Sequence, residues 1–486
     1  MLISTRGIEK VNSAEAILKG LSTKGGLFVF DKINSLGFDE SFLKLSYNEL
    51  AKKILSFLFD DFKYEDISNA VDSAYSKQNF PKGAVSVVNY DKYSFLNLFN
   101  GPTFAFKDMA LTLLPSLVEI SKKYLGNNKK TVVLTATSGD TGSAALNGFT
   151  KIDNTNIYVL YPNKRVSQFQ EKQMLSFNGA NSKSFAVNGN FDDCQRTVKK
   201  FFNTEKYNTI DLSSANSINI GRLAPQIIYY FYSYIELVNN KKIKFGDNVN
   251  FCVPTGNFGD ILAGYIAKLL GLPVGKLICA SNKNRVLTDF FETGVYDANR
   301  DFYTTNSPSM DILVSSNLER LLFMITKDNV YVEKLMNDLS VNKKYVLDDK
   351  YLNELKSFSA ESCDEVETVK LIGSLYNETK HLMDPHTAVA YGCYKKYVEK
   401  TGDSTFTVIL STANPYKFSD TICKALNIKP NADEFDNIKQ ISSLTGVEAD
   451  PRILALNKIK SDDLRTVWNL EDTYNNLKNV VGGLDD

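Results

Sequence analysis

Four short segments of this chain combine residue types that bind anions or supply an amine. The first, Asn100-Gly-Pro-Thr-Phe-Ala-Phe-Lys107-Asp-Met-Ala110, sets a lysine among aromatic residues behind a Gly-Pro turn that leads into a helix. A lysine desolvated in such surroundings loses proton affinity and becomes the nucleophilic free amine that condenses with a carbonyl. The second, Thr137-Ser-Gly-Asp-Thr-Gly-Ser143, follows a strand and opens a helix. It gathers hydroxyls, backbone N–H groups and the positive end of a helix in one volume suited to a carboxylate or phosphate. The third, Thr255-Gly-Asn-Phe-Gly-Asp260, carries two glycines that let backbone amides approach an anion closely, yet it is neither a Walker loop nor a dinucleotide fingerprint. The fourth, Ser411-Thr-Ala-Asn-Pro415, places hydroxyls at a strand end. Taken singly, each has a structural alternative: a snorkelling surface lysine, a helix N-cap, an ordinary strand-to-helix loop, a capping serine. The chain has only two histidines, His381 and His386, and six cysteines with no CxxC pair, so a zinc site or a histidine-dependent triad has few possible members. The chemistry therefore leans on lysine or on a borrowed cofactor. His386 follows Asp384-Pro385 at the start of a helical stretch, where a structural role and an active-site role fit equally.

The elements that must position these segments alternate between strand and helix. Residues 131–136, 156–161 and 183–187 read as strands around helical 143–149 and 167–177. A second series has strands at 249–253, 276–280 and 406–411, with a helix over 261–270. Such alternation implies right-handed crossovers and parallel sheets covered on both faces. Ligands bind such sheets beyond the carboxyl ends of the strands, where the last three segments stand. The expected fold is α/β, with two open, mainly parallel lobes, the ligand site between them and a helical N-terminal region. The expected division is a mostly helical region over 1–95, a smaller lobe over 96–240, a larger lobe over 241–430 and an extension over 431–486.

Composition removes several functional classes. Across 486 residues, 56 Lys+Arg balance 56 Asp+Glu, which leaves no electrostatic footprint for nucleic acid. Hydrophobic residues at 43% and charged ones at 23% suit a chain that buries sizeable cores. The longest apolar stretch, Leu223 to Val238, contains Pro225, Gln226, Ser233 and Glu236, so a membrane span is not expected. The N-terminal ten residues lack a secretory signal and carry Glu9, and the scattered cysteines read as buried reduced thiols, so the expected location is cytoplasmic.

In order and spacing, the four segments resemble pyridoxal-phosphate enzymes of the tryptophan-synthase-β type. Further motifs are similar to those of threonine synthases: Ser4-Thr-Arg-Gly7, Lys24-Gly-Gly-Leu-Phe28, Gly189-Asn-Phe-Asp-Asp-Cys194, Asn216-Ser-Ile-Asn-Ile-Gly-Arg222, Gly256-Asn-Phe-Gly-Asp260 and Met383-Asp-Pro-His-Thr-Ala-Val-Ala-Tyr391. The resemblance runs from about residue 4 to about residue 425, and in combination these motifs are highly specific. It implies pyridoxal 5'-phosphate as cofactor and Lys107 as the lysine that joins it and then shuttles protons. Thr137, Ser138 and Thr141 fall on the loop for the substrate carboxylate, and Asp140, beside the cofactor ring, stands where some relatives carry asparagine. Gly256, Asn257, Phe258, Gly259 and Asp260 match the cofactor-phosphate loop, Thr412 the hydroxyl facing the ring nitrogen, and Asn216, Ser217 and Arg222 the residues that hold the substrate's own phosphate. A hydroxyl does not keep the ring nitrogen protonated, so the cofactor is a weaker electron sink, which suits elimination and replacement more than transamination. Two anion cradles plus Arg222 suit a substrate with both a carboxylate and a phosphate.

The activity so implied is conversion of O-phospho-L-homoserine and water to L-threonine and phosphate, without metal, nucleic acid or membrane, by a monomer or homodimer. Three alternatives stand beside it. One is another lyase of the same fold, such as a serine or threonine dehydratase or a sulfhydrylase, which the phosphate arm Asn216–Arg222 disfavours. The second is a phospholyase that releases 2-oxobutyrate and ammonia. The third is a silent binding protein on the same scaffold, which retention of Lys107 disfavours.

Overall fold

The computed structural model describes residues 1–150 and 152–485. At the N-terminus β1 (Leu2–Ser4), β2 (Lys10–Val11) and β3 (Phe28–Phe30) form an antiparallel sheet in the order β2-β1-β3. Helices Ser13–Lys19, Tyr47–Leu58 and Tyr64–Ala74 complete this region, so a small sheet joins the expected helices. Strands of two or three residues are too short for alternation to register. After β4 (Ser86–Asn89) and β5 (Tyr93–Asn97) come β6 (Lys130–Ala136), β7 (Thr155–Pro162), β8 (Ser182–Asn188) and β9 (Ile210–Ser213). Then follow β10 (Val249–Pro254), β11 (Val274–Ser281), β12 (Val295–Asp297), β13 (Lys344–Val346), β14 (Phe358–Ser362), β15 (Thr407–Ser411) and β16 (Thr466–Asn469).

Two large sheets carry the architecture. One has six strands in the order β14-β11-β10-β15-β5-β4, parallel except at edge strand β4. The other has five, β16-β8-β7-β6-β9, parallel throughout. The sheets do not occupy consecutive stretches of chain. β5, which leads to Lys107, pairs with β15, while β16 returns to pair with β8.

Alternation along the strands fills cores on both faces, as parallel sheets require. In β6, Val132 and Leu134 join a cluster with Val198, Phe201, Leu477 and Val481, whereas Val133 faces the opposite way. In β10, Phe251 and Val253 face one core and Cys252 the other, and β15 repeats this with Val408, Leu410 and Ile409. Helix Ile220–Asn239 lies in the cluster that takes residues from both sheets, and Leu223, Ile227, Tyr230 and Tyr234 on it are buried. The apolar stretch is thus a core helix, and among the described residues no helix is long and apolar enough to cross a membrane.

Both termini brace the middle of the chain. Arg6 forks onto Glu319 at 2.8 and 2.6 Å, and buried Arg320 donates to Phe28 O at 2.8 Å, which ties the N-terminal sheet to helix Leu318–Thr326. Glu434 accepts from Gln168 N and Phe169 N, both at 2.9 Å, and so caps helix Gln168–Ser176. The Arg452 guanidinium lies 4.6 Å over the Phe104 ring.

Candidate active site

The turn before Lys107 is held from within and from across the sheet. Thr103 donates to Asp108 through its N–H at 2.7 Å and its hydroxyl at 2.5 Å, closing a loop over Gly101. A Cβ on Gly101 would stand 2.5 Å from Asp108 Oδ2, so only glycine fits there. Phe106 N donates to Thr412 O at 2.8 Å and Asn414 N to Phe104 O at 3.0 Å, a backbone seam that joins the Lys107 and Thr412 loops. Lys107 precedes the short helix Asp108–Leu111, and its Nζ donates to Ser309 Oγ at 3.1 Å and stands 3.8 Å from Asp140 Oδ2. Burial pulls its pKa down, Asp140 opposes that, and Lys417 and Arg222 add to it, for a value of about 8.

Asp140 is fixed by the loop that carries it. Thr137 Oγ1 accepts from Gly139 N at 2.9 Å and Gly142 N at 3.0 Å, folding the chain from β6 into helix Asp140–Phe149. Gly139 has φ of +147°, and a Cβ there would lie 2.3 Å from Gln170 Nε2. That nitrogen donates to Asp140 Oδ1 at 3.1 Å. Burial alone would raise the Asp140 carboxyl, but Lys417 and Lys107 hold it well below the usual carboxylate range. Ser138 is exposed and Thr141 half-buried, so both remain open to a ligand. On its far side the same helix touches the segment after Lys107, since a Cβ on Gly148 would lie 2.1 Å from Leu111 O.

The third loop follows β10 and packs against residues 307–317. A Cβ on Gly256 would meet Ser309 O at 2.5 Å, so glycine allows the serine that touches Lys107 to come this close. Asn257 O accepts from Asn317 N at 3.0 Å, and Gly256 O from Ser315 Oγ at 2.7 Å. Phe258 adopts a left-handed φ of +63° while its ring stacks near Phe291 in the core, so only its backbone serves the loop. Asp260 turns away: its Oδ1 accepts from Tyr229 at 2.6 Å and Tyr230 at 2.9 Å, and burial pushes it up to about 6. Behind Ser309 stands His386, whose Nε2 accepts from Ser309 N at 3.1 Å and whose Nδ1 lies 2.7 Å from Asp384 Oδ2. An acceptor at Nε2 leaves the ring proton on Nδ1. His386 thus orients Ser309 and, among the described residues, shares no hydrogen bond or ion pair with Lys107.

Arg222, on helix Ile220–Asn239, is only 3% exposed. It donates to Ala215 O at 2.5 Å, its Nε has no partner, and among the described residues no carboxylate pairs with it. Burial lowers its pKa to about 10. A buried guanidinium without a counter-charge is unfavourable unless an anion completes it. Asn216 and Ser217 are half-buried on the segment leading into this helix, and Thr135 Oγ1 lies 3.4 Å from Asn216 Oδ1.

The structure therefore gathers Lys107, Asp140, Thr412 and the Gly256 loop through direct contacts, sets Arg222 near enough to act on the Lys107 charge, and turns the Asp260 side chain elsewhere. Lys417, Ser309 and Gln170 complete the site and are not among the residues expected from motifs. Lys417 has a signal, a lone lysine in Pro415-Tyr-Lys-Phe just after a strand end. Ser309 has none, because it sits in a three-residue 3-10 turn, Pro308–Met310, too short to carry a periodic pattern. Among the described residues no cluster of histidine, cysteine or carboxylate side chains could hold a metal ion.

Comparison with known proteins gives a consistent result. A family model described as "Threonine synthase N terminus" matches residues 1–75, "Pyridoxal-phosphate dependent enzyme" matches 95–412, and "Threonine synthase, C-terminal" matches 387–455. The chain is 39% identical over 461 residues to threonine synthase-like 1 of Homo sapiens, covering 88% of this chain but spanning only 61% of that protein's length. It is 36% identical to threonine synthase of Saccharomyces cerevisiae, over 86% of this chain and 87% of that one. The crystal structure of PLP-bound threonine synthase from Brucella melitensis superposes with a TM-score of 0.84 at 34% identity, over 98% of each chain.

Proposed function

Because the chain belongs to the threonine synthase family of pyridoxal-phosphate-dependent enzymes, we propose that it converts O-phospho-L-homoserine and water into L-threonine and phosphate. The observation that carries the choice of substrate is Arg222, a buried guanidinium with an unpartnered nitrogen and, among the described residues, no carboxylate paired with it. Such a group is completed by a phosphate through charge-assisted hydrogen bonds, with Asn216 and Ser217 as neutral partners.

The residues fit the cofactor. Lys107 offers an amine that burial brings to about 8, close to working pH. The backbone of Gly256, Asn257, Phe258, Gly259 and Asp260 forms a glycine turn at the start of helix Gly259–Leu269, suited to the cofactor phosphate. Among the described residues no protein group bonds the Thr412 hydroxyl, which is free to meet the ring nitrogen. When bound, the cofactor withdraws electrons from the carbon that bears the substrate amine.

The chain's own groups then divide the work. Lys107 takes the proton from Cα, and, within reach of neighbouring carbons, serves Cβ and Cγ in turn as phosphate leaves Cγ and water adds at Cβ. Ser309, steered by His386, and Asp140 hold its Nζ between them. Ser138 and Thr141, with the loop that Thr137 folds, receive the substrate carboxylate. Arg222 binds the phosphate before and after it leaves. Six free, buried cysteines suit a reducing compartment, and we place the activity in the cytosol, in a monomer or homodimer.

A second reading is phosphate elimination from the same substrate with release of 2-oxobutyrate and ammonia; the chain matches both a protein named threonine synthase-like 1 and proteins named threonine synthase, and those names do not choose between the two readings. Product analysis with O-phosphohomoserine separates the two. Threonine and phosphate in equal amounts are expected, and 2-oxobutyrate as main product would replace the first reading with the second.

A further inference from the structure

Asp140 and Lys107 do not form a closed pair. Lys417 Nζ lies 2.7 Å from Asp140 Oδ1, nearer than Lys107 Nζ at 3.8 Å from Oδ2. The Lys417 side chain is 0% exposed; its Nζ also contacts Thr103 O at 2.7 Å and Gln173 Oε1 at 3.4 Å and lies 5.7 Å over the Phe169 ring. It therefore touches three supports of the site at once: the turn that leads to Lys107, the helix Gln168–Ser176 and the carboxylate itself. It also joins the two sheets, because Lys417 follows β15 and Asp140 follows β6.

A lone buried carboxylate beside Lys107 would hold that amine as an ammonium, and an ammonium cannot attack a carbonyl or accept a proton. We propose that Lys417 is a positioning residue for Lys107: it satisfies the Asp140 carboxylate, which then orients the Lys107 amine without keeping it protonated. The inference rests on the reading that Lys107 acts as a free amine.

The charges that face Lys107 from each packed element are consistent with this. Asp140 comes from helix Asp140–Phe149, Lys417 from the turn after β15, Arg222 from helix Ile220–Asn239 and Asp108 from its own segment, while the contact from Ser309 is neutral. Asp140 has Lys417 at 2.7 Å and Asp108 is satisfied by Thr103, so a proton on Lys107 would add a charge that neither carboxylate pairs closely.

The test measures the pH midpoint of Lys107 in the cofactor-free full chain, by competitive acylation with a trace reagent and mass spectrometry of its peptide. Removing the Lys417 charge in Lys417→Met should move the midpoint up by about one pH unit or more, since Asp140 then acts on Lys107 alone. Asp140→Asn should move it down, and the double variant should lie between the two. Lys417→Gln, which retains a donor for Thr103 O, should repeat the upward shift and serves if the methionine variant does not fold. A folded Lys417 variant with an unchanged midpoint, or one that moves down as in Asp140→Asn, overturns the proposal. Borohydride trapping of the cofactor on Lys107 tests the underlying assignment separately. Loss of trapping at Lys107 would sink that assignment whatever the midpoints show.

Discussion

On the proposed reading Arg222, which is buried, and Lys107, which is mostly so, have opposite fates: one keeps its charge for an anion, the other gives up its proton. Replacing Arg222 with leucine removes the charged member of the proposed phosphate arm. Each charge-assisted bond contributes roughly 1.5 to 3 kcal/mol, so kcat/KM for phosphohomoserine should fall at least ~10-fold. Cofactor affinity, measured by absorbance titration, should barely change, and competitive inhibition by inorganic phosphate should weaken. A well-folded Arg222→Leu chain with undiminished kcat/KM would remove the arm from the reading. For Lys107 the sign of the pH effect follows from its lowered pKa, 10.5 in the ordinary case and about 8 here. Cofactor capture by the free chain should rise with pH through about 8 and then level, rather than climb toward 10.5. The unfolded chain holds this proton more tightly, so the group's burial penalty is full below 8 and is relieved as pH rises toward 10.5. Levelling only near 10.5 would show an unperturbed lysine. At this scale Lys107, Arg222 and Thr412 can be singled out as candidates in the sequence because each stands in a motif. Ser309 is not, since its position is set by a close approach to Gly256 from the distant 3-10 turn Pro308–Met310. Asp260 sits in the same motif as Gly256, yet the helical turn carries its side chain to Tyr229 and Tyr230.

Elements set the distances that those residues need. Helix Asp140–Phe149 approaches the Lys107 segment so closely at Gly148 that a methyl group there would strike Leu111 O. Gly148→Ala should therefore cost about 1 to 3 kcal/mol, as overpacking does, and move Asp140 relative to Lys107. A lower melting temperature together with altered cofactor absorbance is expected, and a variant unchanged in both would mean that the two elements separate freely. The strands of the large sheets are legible, since 131–136, 156–161 and 249–253 each lie within an observed strand. Such apolar runs between helices carry their own signal. β16 carries almost none: its four residues are largely exposed, held by pairing with β8, by stacking of Trp468 on Phe185 and by bonds from Asn188 and Thr473 to Asn469. Arg452 over Phe104 and Glu434 beneath helix Gln168–Ser176 are equally invisible in one dimension, because each joins segments hundreds of positions apart.

The two large sheets are interleaved along the chain, so the site depends on distant segments meeting. Leu477, fully buried against Phe201 and Val198 behind the five-stranded sheet, tests this at long range. Leu477→Ala should destabilise by about 2 to 5 kcal/mol. Hydrogen exchange should quicken first in helix Phe191–Thr204 and β8, leaving the six-stranded sheet protected. Uniform loosening across both sheets would instead show one cooperative unit. The return of β16 to β8 also has a bearing on how the protein is made. Asn469 meets Asn188 across 281 positions of sequence. At a synthesis rate of about 5 to 20 residues per second, β8 emerges from the ribosome with one edge bare for roughly 15 to 60 s before its neighbour exists. Chains interrupted in that interval carry an unsealed strand, the surface on which other chains pair. The segment that seals the finished sheet therefore also separates completed chains from those a cell must hold in chaperones or discard.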